Sequence, residues 1–129
     1  MLGVQRVLDP EPVADLGAYV AAGGGVGLRV ALDAGPDAAL AVVEASGLRG
    51  RGGAGFPTAT KWRSVLEYRT PSTPPTVVVN AAEGEPGTFK DRAILRANPY
   101  RVLEGALIAA TVIGSDEGVV ATKERFATE

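Results

Sequence analysis

The sequence contains no cysteine and no histidine. The first absence excludes a cysteine-ligated iron-sulfur cluster, a disulfide framework and thiol chemistry in this chain. The second leaves carboxylates alone for a zinc site, a donor set zinc rarely accepts. An excess of positive charge is missing too: 13 Lys and Arg stand against 15 Asp and Glu, for a net charge of −2. Nucleic acid is therefore not an expected partner, because that footprint needs a concentrated basic face. There is no unbroken hydrophobic run of membrane length. Leu16 to Leu32 is mildly apolar, but Arg29 and five glycines interrupt it, so no direct membrane insertion is expected. Met1 to Asp9 lacks the basic region, apolar core and cleavage site of a secretory signal, which makes a cytoplasmic protein the expectation. With 129 residues there is room for one domain and one modest core.

Two motifs stand out. Gly50-Arg51-Gly52-Gly53-Ala54-Gly55-Phe56-Pro57-Thr58 is dense in glycine, so main-chain N–H groups can approach a phosphate or flat ring with no Cβ in the way. Asn80-Ala81-Ala82-Glu83-Gly84-Glu85-Pro86-Gly87 is an acidic turn just past the apolar run Val77-Val78-Val79. A parallel strand delivers polar groups to a crevice at such a point, and carboxylates there suit hydroxyls or amides rather than phosphate.

The segment 50–55 satisfies G-x-G-x-x-G, yet the dinucleotide fingerprint must follow a strand, and residues 36–46 read as a helix. No acid lies about 20 residues further on to hold a ribose, so a standard Rossmann fingerprint is rejected.

Around the motifs the pattern alternates. Residues 1–22 form a lead-in with two prolines and room for one short helix. Pro36 opens a helix that Gly47 ends. Thr58 caps a second helix reaching about Tyr68 and carrying Lys61 and Trp62. Thr76 to Val79 is a short β-branched strand of the kind buried on both faces of a parallel sheet. Thr88-Phe89-Lys90-Asp91 fits a capping box opening the next helix. Asn98-Pro99 opens another, with Leu103, Leu107, Ile108 and Val112 on its core face and Gly114 at its end. Gly118 to Thr122 reads as a second strand. Strand, helices and strand make a right-handed crossover, so the class is α/β.

The motif residues, from Ser46 through Thr58, Lys61-Trp62 and Asn80 through Gly87 into Thr88-Phe89-Lys90-Asp91-Arg92, resemble the flavin-bearing, NADH-oxidising subunit of respiratory complex I. Relatives among NAD-linked hydrogenases and formate dehydrogenases share the signature. The resemblance implies a partial Rossmann-like FMN-binding domain over residues 23–129, with short parallel strands and flanking helices. It implies hydride transfer from nicotinamide C4 to flavin N5, and electrons passed on to iron-sulfur clusters and quinone.

Gly50, Arg51, Gly52, Gly53, Lys61, Asn80 and Glu83 would hold FMN, with the charge of Glu83 tuning the flavin. Phe56 and Glu85 would meet NADH. No acid/base catalyst is expected. Members of that family continue into a second half of the flavin site, a ubiquitin-like domain and a four-cysteine helical bundle, none of which is in these residues. Expected partners are a thioredoxin-like iron-sulfur subunit and other dehydrogenase subunits, placing the chain at the inner face of the cell membrane through its complex.

Each residue also has a plainer reading. The glycines can simply connect two helices, Lys61 can be a surface lysine, Phe56 can be core, and the acidic turn can be a solvated loop. Three departures from the family stand out: Ala82 where relatives carry Asp, Ala59 where they carry Gly, and Ser64 where an aromatic often follows. Two alternatives remain open. One is a noncatalytic flavin or nucleotide-binding module, or a truncated one. The other is a relative of the flavin-bearing component of the sodium-pumping ferredoxin oxidoreductase, although that family usually has cysteine where Gly84 stands.

Overall fold

Proline and glycine punctuate the chain. In the computed structural model, which describes residues 7–126, the elements run α1 (Leu16–Ala21), α2 (Val26–Ala34), α3 (Pro36–Ala45), α4 (Thr58–Tyr68), β1 (Thr76–Ala81), α5 (Lys90–Ala97), α6 (Pro99–Ile113) and β2 (Glu117–Thr122). A 3-10 turn at Glu124–Phe126 follows. Pro36 occupies the first turn of α3, where its missing N–H has no intrahelical partner to lose. Asn98 caps α6 by accepting from the Arg101 amide at 3.0 Å, and Gly114 ends it at φ 69.

Two caps differ from expectation. Thr58 is the first helical residue of α4 behind Pro57, with no side-chain cap there. Thr88 turns back to donate to the Glu85 carbonyl at 2.9 Å instead of capping α5, whose N-cap is Phe89. Helix α2 is unforeseen in the sequence pattern; Gly25 and Gly35, at φ 81 and 85, flank it, and Gly27 lies within its first turn.

Strands β1 and β2 pair in parallel, from Thr76 opposite Glu117 to Ala81 opposite Thr122, with α5 and α6 in the crossover. The α/β class is therefore as expected. The burial is not: β1 alternates, with Val77 packed against the core and Val78 60% exposed. Successive strand residues face opposite ways, and in these residues the helices cover one face of the pair.

The core gathers Ala31, Ala39, Leu40, Ala59, Val112 and Ile113, with Trp62 and Ile108 packed against it. Leu103 and Leu107, expected on the core face of α6, are 46% and 52% exposed. The inward residues are Ala109, Val112 and Ile113; residues two apart on a helix differ by roughly 200° in direction, so Leu107 and Ala109 cannot both face the same way.

The lead-in is tied to this frame. Val13 N–H donates to the Ala97 carbonyl at 2.8 Å, and Asp9 accepts from Asn98 Nδ2 at 2.7 Å and Arg101 Nη2 at 3.2 Å. Tyr19 stacks on Tyr100 and donates its hydroxyl to Glu104. Gly25 has no side chain to cap α2, and Glu104 does so from α6, accepting from the Gly25 and Leu28 amides at 2.8 and 2.9 Å. Burial pushes the Glu104 carboxyl upward, but the Tyr19 hydroxyl and these amides outweigh it, so the net direction is down. Burial, then the bond to Glu104, raises the Tyr19 phenol from 10.0 to about 12.

Candidate functional site

The glycine loop connects α3 to α4 and is closed at its base. Arg49 and Pro57 form an antiparallel bridge, Gly50 N–H donates to the Phe56 carbonyl at 2.9 Å, and Thr58 N–H donates to the Leu48 carbonyl at 3.0 Å. Inside, Gly55 N–H donates to the Gly52 carbonyl and Arg49 Nη1 to the Gly55 carbonyl, both at 3.1 Å. The amides of Arg51, Gly52, Gly53 and Ala54 donate to no protein acceptor among the described residues. A Cβ built on Gly52 or Gly53 meets nothing within 4 Å. The result is a run of exposed backbone donors with no side chain over the two glycines. This suits an anionic or planar group that must come close to the main chain, so the loop fits FMN.

Arg51 and Lys61, the latter in the first turn of α4, are exposed. Phe56 is 51% exposed, which removes it from the core and leaves its ring available for stacking. Ala59, where the family resemblance leads one to expect glycine, is 4% exposed within the core cluster, so its methyl serves packing.

The acidic turn leaves the carboxyl end of β1. Asn80 Oδ1 accepts from the Ala82 amide at 3.1 Å and bends the chain out of the strand. Glu83 follows at φ 44, a left-handed conformation that costs a residue with a Cβ about 1–2 kcal/mol. It is 5% exposed, and both carboxylate oxygens are engaged by α5: Oε1 accepts from the Asp91 amide at 3.0 Å and Oε2 from Arg92 Nε at 2.9 Å. Loss of water pushes its carboxyl upward. The Arg92 bond, the Asp91 amide and the charges of Arg92 and Lys90 outweigh this and hold it below the usual carboxylate range.

Glu85 is exposed, with Oε2 3.7 Å from Lys90 Nζ. The turn opens on a cleft of about 420 Å³, lined by residues 83–89 together with Arg92, Lys123 and Phe126. The Arg92 guanidinium lies 4.4 Å from the Phe126 ring centre and the Lys123 ammonium 5.9 Å from it. This cleft sits outside the carboxyl ends of the parallel strands, where open α/β sheets bind ligands.

The structure thus brings Glu83 and Glu85 to one cleft, while Gly50, Arg51, Gly52, Gly53 and Phe56 share the loop before α4 and line none of that cleft. Asn80 spends its oxygen on its own turn, and its Nδ2 keeps no protein partner among the described residues. Sequence reasoning did not single out Phe89, Arg92, Lys123 and Phe126 as cleft residues. Arg92 belongs to the motif run, but it lies nine positions after Glu83, a distance no local periodicity marks.

No group of three or more metal-ligating side chains occurs among the described residues, and no helix there is long and apolar enough to cross a membrane.

Comparison with known proteins gives consistent results. The family model described as the Nuo51 FMN-binding domain matches residues 43–129. An NADH-quinone oxidoreductase subunit of Rhizobium meliloti is 43% identical over 114 residues, covering 88% of this chain and 27% of that protein. The corresponding NADH-quinone oxidoreductase subunit of Streptomyces coelicolor is 49% identical over 94 residues, or 73% of this chain and 20% of the relative. Among solved structures, an NAD+-reducing [NiFe]-hydrogenase in the air-oxidised state superposes with a TM-score of 0.63 at 38% identity, covering 90% of this chain and 19% of that one. The chain spans about a quarter of the length of the curated relatives it matches. It belongs to the Nuo51 FMN-binding domain family.

Proposed function

We propose that this chain supplies the glycine-loop and acidic-turn part of an FMN- and NADH-binding dehydrogenase domain. The observation that carries the reading is the loop at Arg51 to Ala54, whose residues are exposed and whose amides have no protein acceptor among the described residues, with open space where a side chain at Gly52 or Gly53 would stand. When bound, FMN supplies the redox chemistry, taking two electrons with a hydride and releasing electrons singly.

The chain's own residues bind and orient. Gly50, Gly52 and Gly53 let the backbone approach the flavin, and Arg51 and Lys61 add mobile positive charge for its phosphate. Asn80 offers Nδ2 to a heterocycle edge. Glu83 contributes negative charge from beneath the turn. Phe56 gives an exposed ring for stacking, and Glu85 an exposed acceptor for hydroxyls of NADH. Aligning two rings in this way lowers the entropic barrier without any acid or base group on the protein.

Partner subunits of a multi-subunit dehydrogenase, among them a thioredoxin-like iron-sulfur protein, would receive the electrons at the cytoplasmic face of the membrane. The isolated 129 residues are expected to show little or no NADH oxidation, since this part of the site alone does not shield the flavin from water and holds no cysteine for an onward cluster.

The test is a titration of FMN into the purified chain, followed by quenching of flavin fluorescence, with riboflavin as the phosphate-free control. Saturable binding of FMN that riboflavin does not reproduce supports the reading. A folded chain that quenches neither removes it.

A further inference from the structure

Glu83 has an unusual combination of properties for a turn residue. It is almost completely buried, adopts a left-handed backbone, and directs both oxygens back into α5 rather than into the cleft. Glu85, two residues on, is exposed, and among the described residues its carboxylate meets only Lys90, in a long ion pair. The turn between them is further pinned by the Thr88 hydroxyl on the Glu85 carbonyl.

We propose that Arg92 is a positioning residue: through its bond to Glu83 it holds the acidic turn, so that Glu85 is the carboxylate presented to a nicotinamide nucleotide while Glu83 braces the turn from inside. This rests on the function proposed above for the choice of ligand, but not for the brace itself.

Two features make Arg92 suited to the role. Its Nε–H and the Asp91 N–H reach the two oxygens of one carboxylate, which fixes the carboxylate plane in a way a single charge does not. Its guanidinium also lies against Phe126 after β2, so the turn following β1 and the segment following β2 are joined through one side chain. Lys90 sits beside the exposed Glu85 and Asp91, at 3.7 and 3.0 Å, where it can steady the rim but not replace the buried contact.

The experiment compares the 129-residue chain with Arg92→Met, Arg92→Lys and the neutral double variant Glu83→Gln/Arg92→Met. Its first arm uses no ligand: amide hydrogen exchange at Asp91, the titration of the Glu83 carboxyl, and the backbone shifts of Glu85, all by NMR. Arg92→Met should speed exchange at Asp91 about tenfold or more, raise the Glu83 titration midpoint and move the Glu85 resonances. Arg92→Lys should recover part of the midpoint because it restores charge without the guanidinium fork. The double variant, which leaves no uncompensated buried charge, keeps the comparison valid if Arg92→Met alone does not fold.

The second arm titrates NADH into each folded variant, and about tenfold weaker binding is expected without Arg92, by analogy with the loss of a residue that orients a metal ligand. Unchanged Asp91 exchange and unchanged Glu85 shifts in Arg92→Met overturn the proposal whatever happens with NADH. So does unchanged NADH affinity in a variant whose turn has loosened. If the unaltered chain binds no NADH, the functional reading fails, and the first arm alone decides the brace.

Discussion

The two glutamates of the acidic turn sit in opposite surroundings. Glu85 is open to water, whereas Glu83 is closed inside by Asp91 and Arg92. Chain position does not distinguish them, since they are two residues apart in a Gly- and Pro-rich turn. The left-handed φ at Glu83 is what turns one inward. In the glycine loop the residue-scale question is which glycines serve the fold. Gly55 has φ 55 and carries a fold requirement, but Gly52 and Gly53 are not in a positive-φ conformation and face open space. Gly52→Ala and Gly53→Ala should therefore leave stability within about 0.5 kcal/mol. FMN binding should weaken by about tenfold if close backbone approach matters, because a methyl group then stands over the bare amides. Thermal melts paired with the flavin titration check this; a large loss of melting temperature in either variant would show that the glycines are structural.

At the level of elements, the joints were the hardest to read. Helices α3, α4 and α6 follow from Pro36, the span up to Tyr68 and the Asn98-Pro99 start, all local signals. Helix α2 depends instead on Glu104, distant in sequence, to satisfy the amides of Gly25 and Leu28. No local rule links them. Glu104→Gln keeps the shape and some acceptor capacity but removes the charge that α2 and Tyr19 share. It should cost about 1–3 kcal/mol, measured as a lowered urea midpoint, with the loss greatest in hydrogen-exchange protection at Leu28. No measurable change would mean that α2 is held by packing alone. The exposed Leu103 and Leu107 carry a related lesson: α6 has apolar residues on more than one side, and periodicity does not say which side meets α2, α3 and α4.

For the molecule as a whole, pH response follows from the same few groups. Glu83 and Glu104 both titrate below the ordinary value of 4.5 in the folded state, so the stability they contribute is complete above that value and is lost as pH falls below it through their folded values. Tyr19 moves the other way, up to about 12, so its contribution is complete below pH 10 and is lost as pH rises from there through about 12. Urea midpoints measured across pH should fall at both ends. Glu104→Gln should flatten the acid limb and Tyr19→Phe the alkaline limb. A Tyr19→Phe variant with an unchanged alkaline limb would remove Tyr19 as its source.

The α/β alternation, the main helix boundaries and the two motifs are legible along the chain, because proline, glycine and asparagine act on the backbone within a few residues. The family resemblance was legible for the same reason, since its motifs are contiguous runs. Three features come from the packing of elements instead: β1 has one open face, Leu103 and Leu107 lie outside the buried core, and Glu83 faces inward. Each of these depends on what a side chain meets across the fold, Arg92 for Glu83 and the helix layer for Val77, and such meetings are set by packing between elements rather than by spacing along the chain.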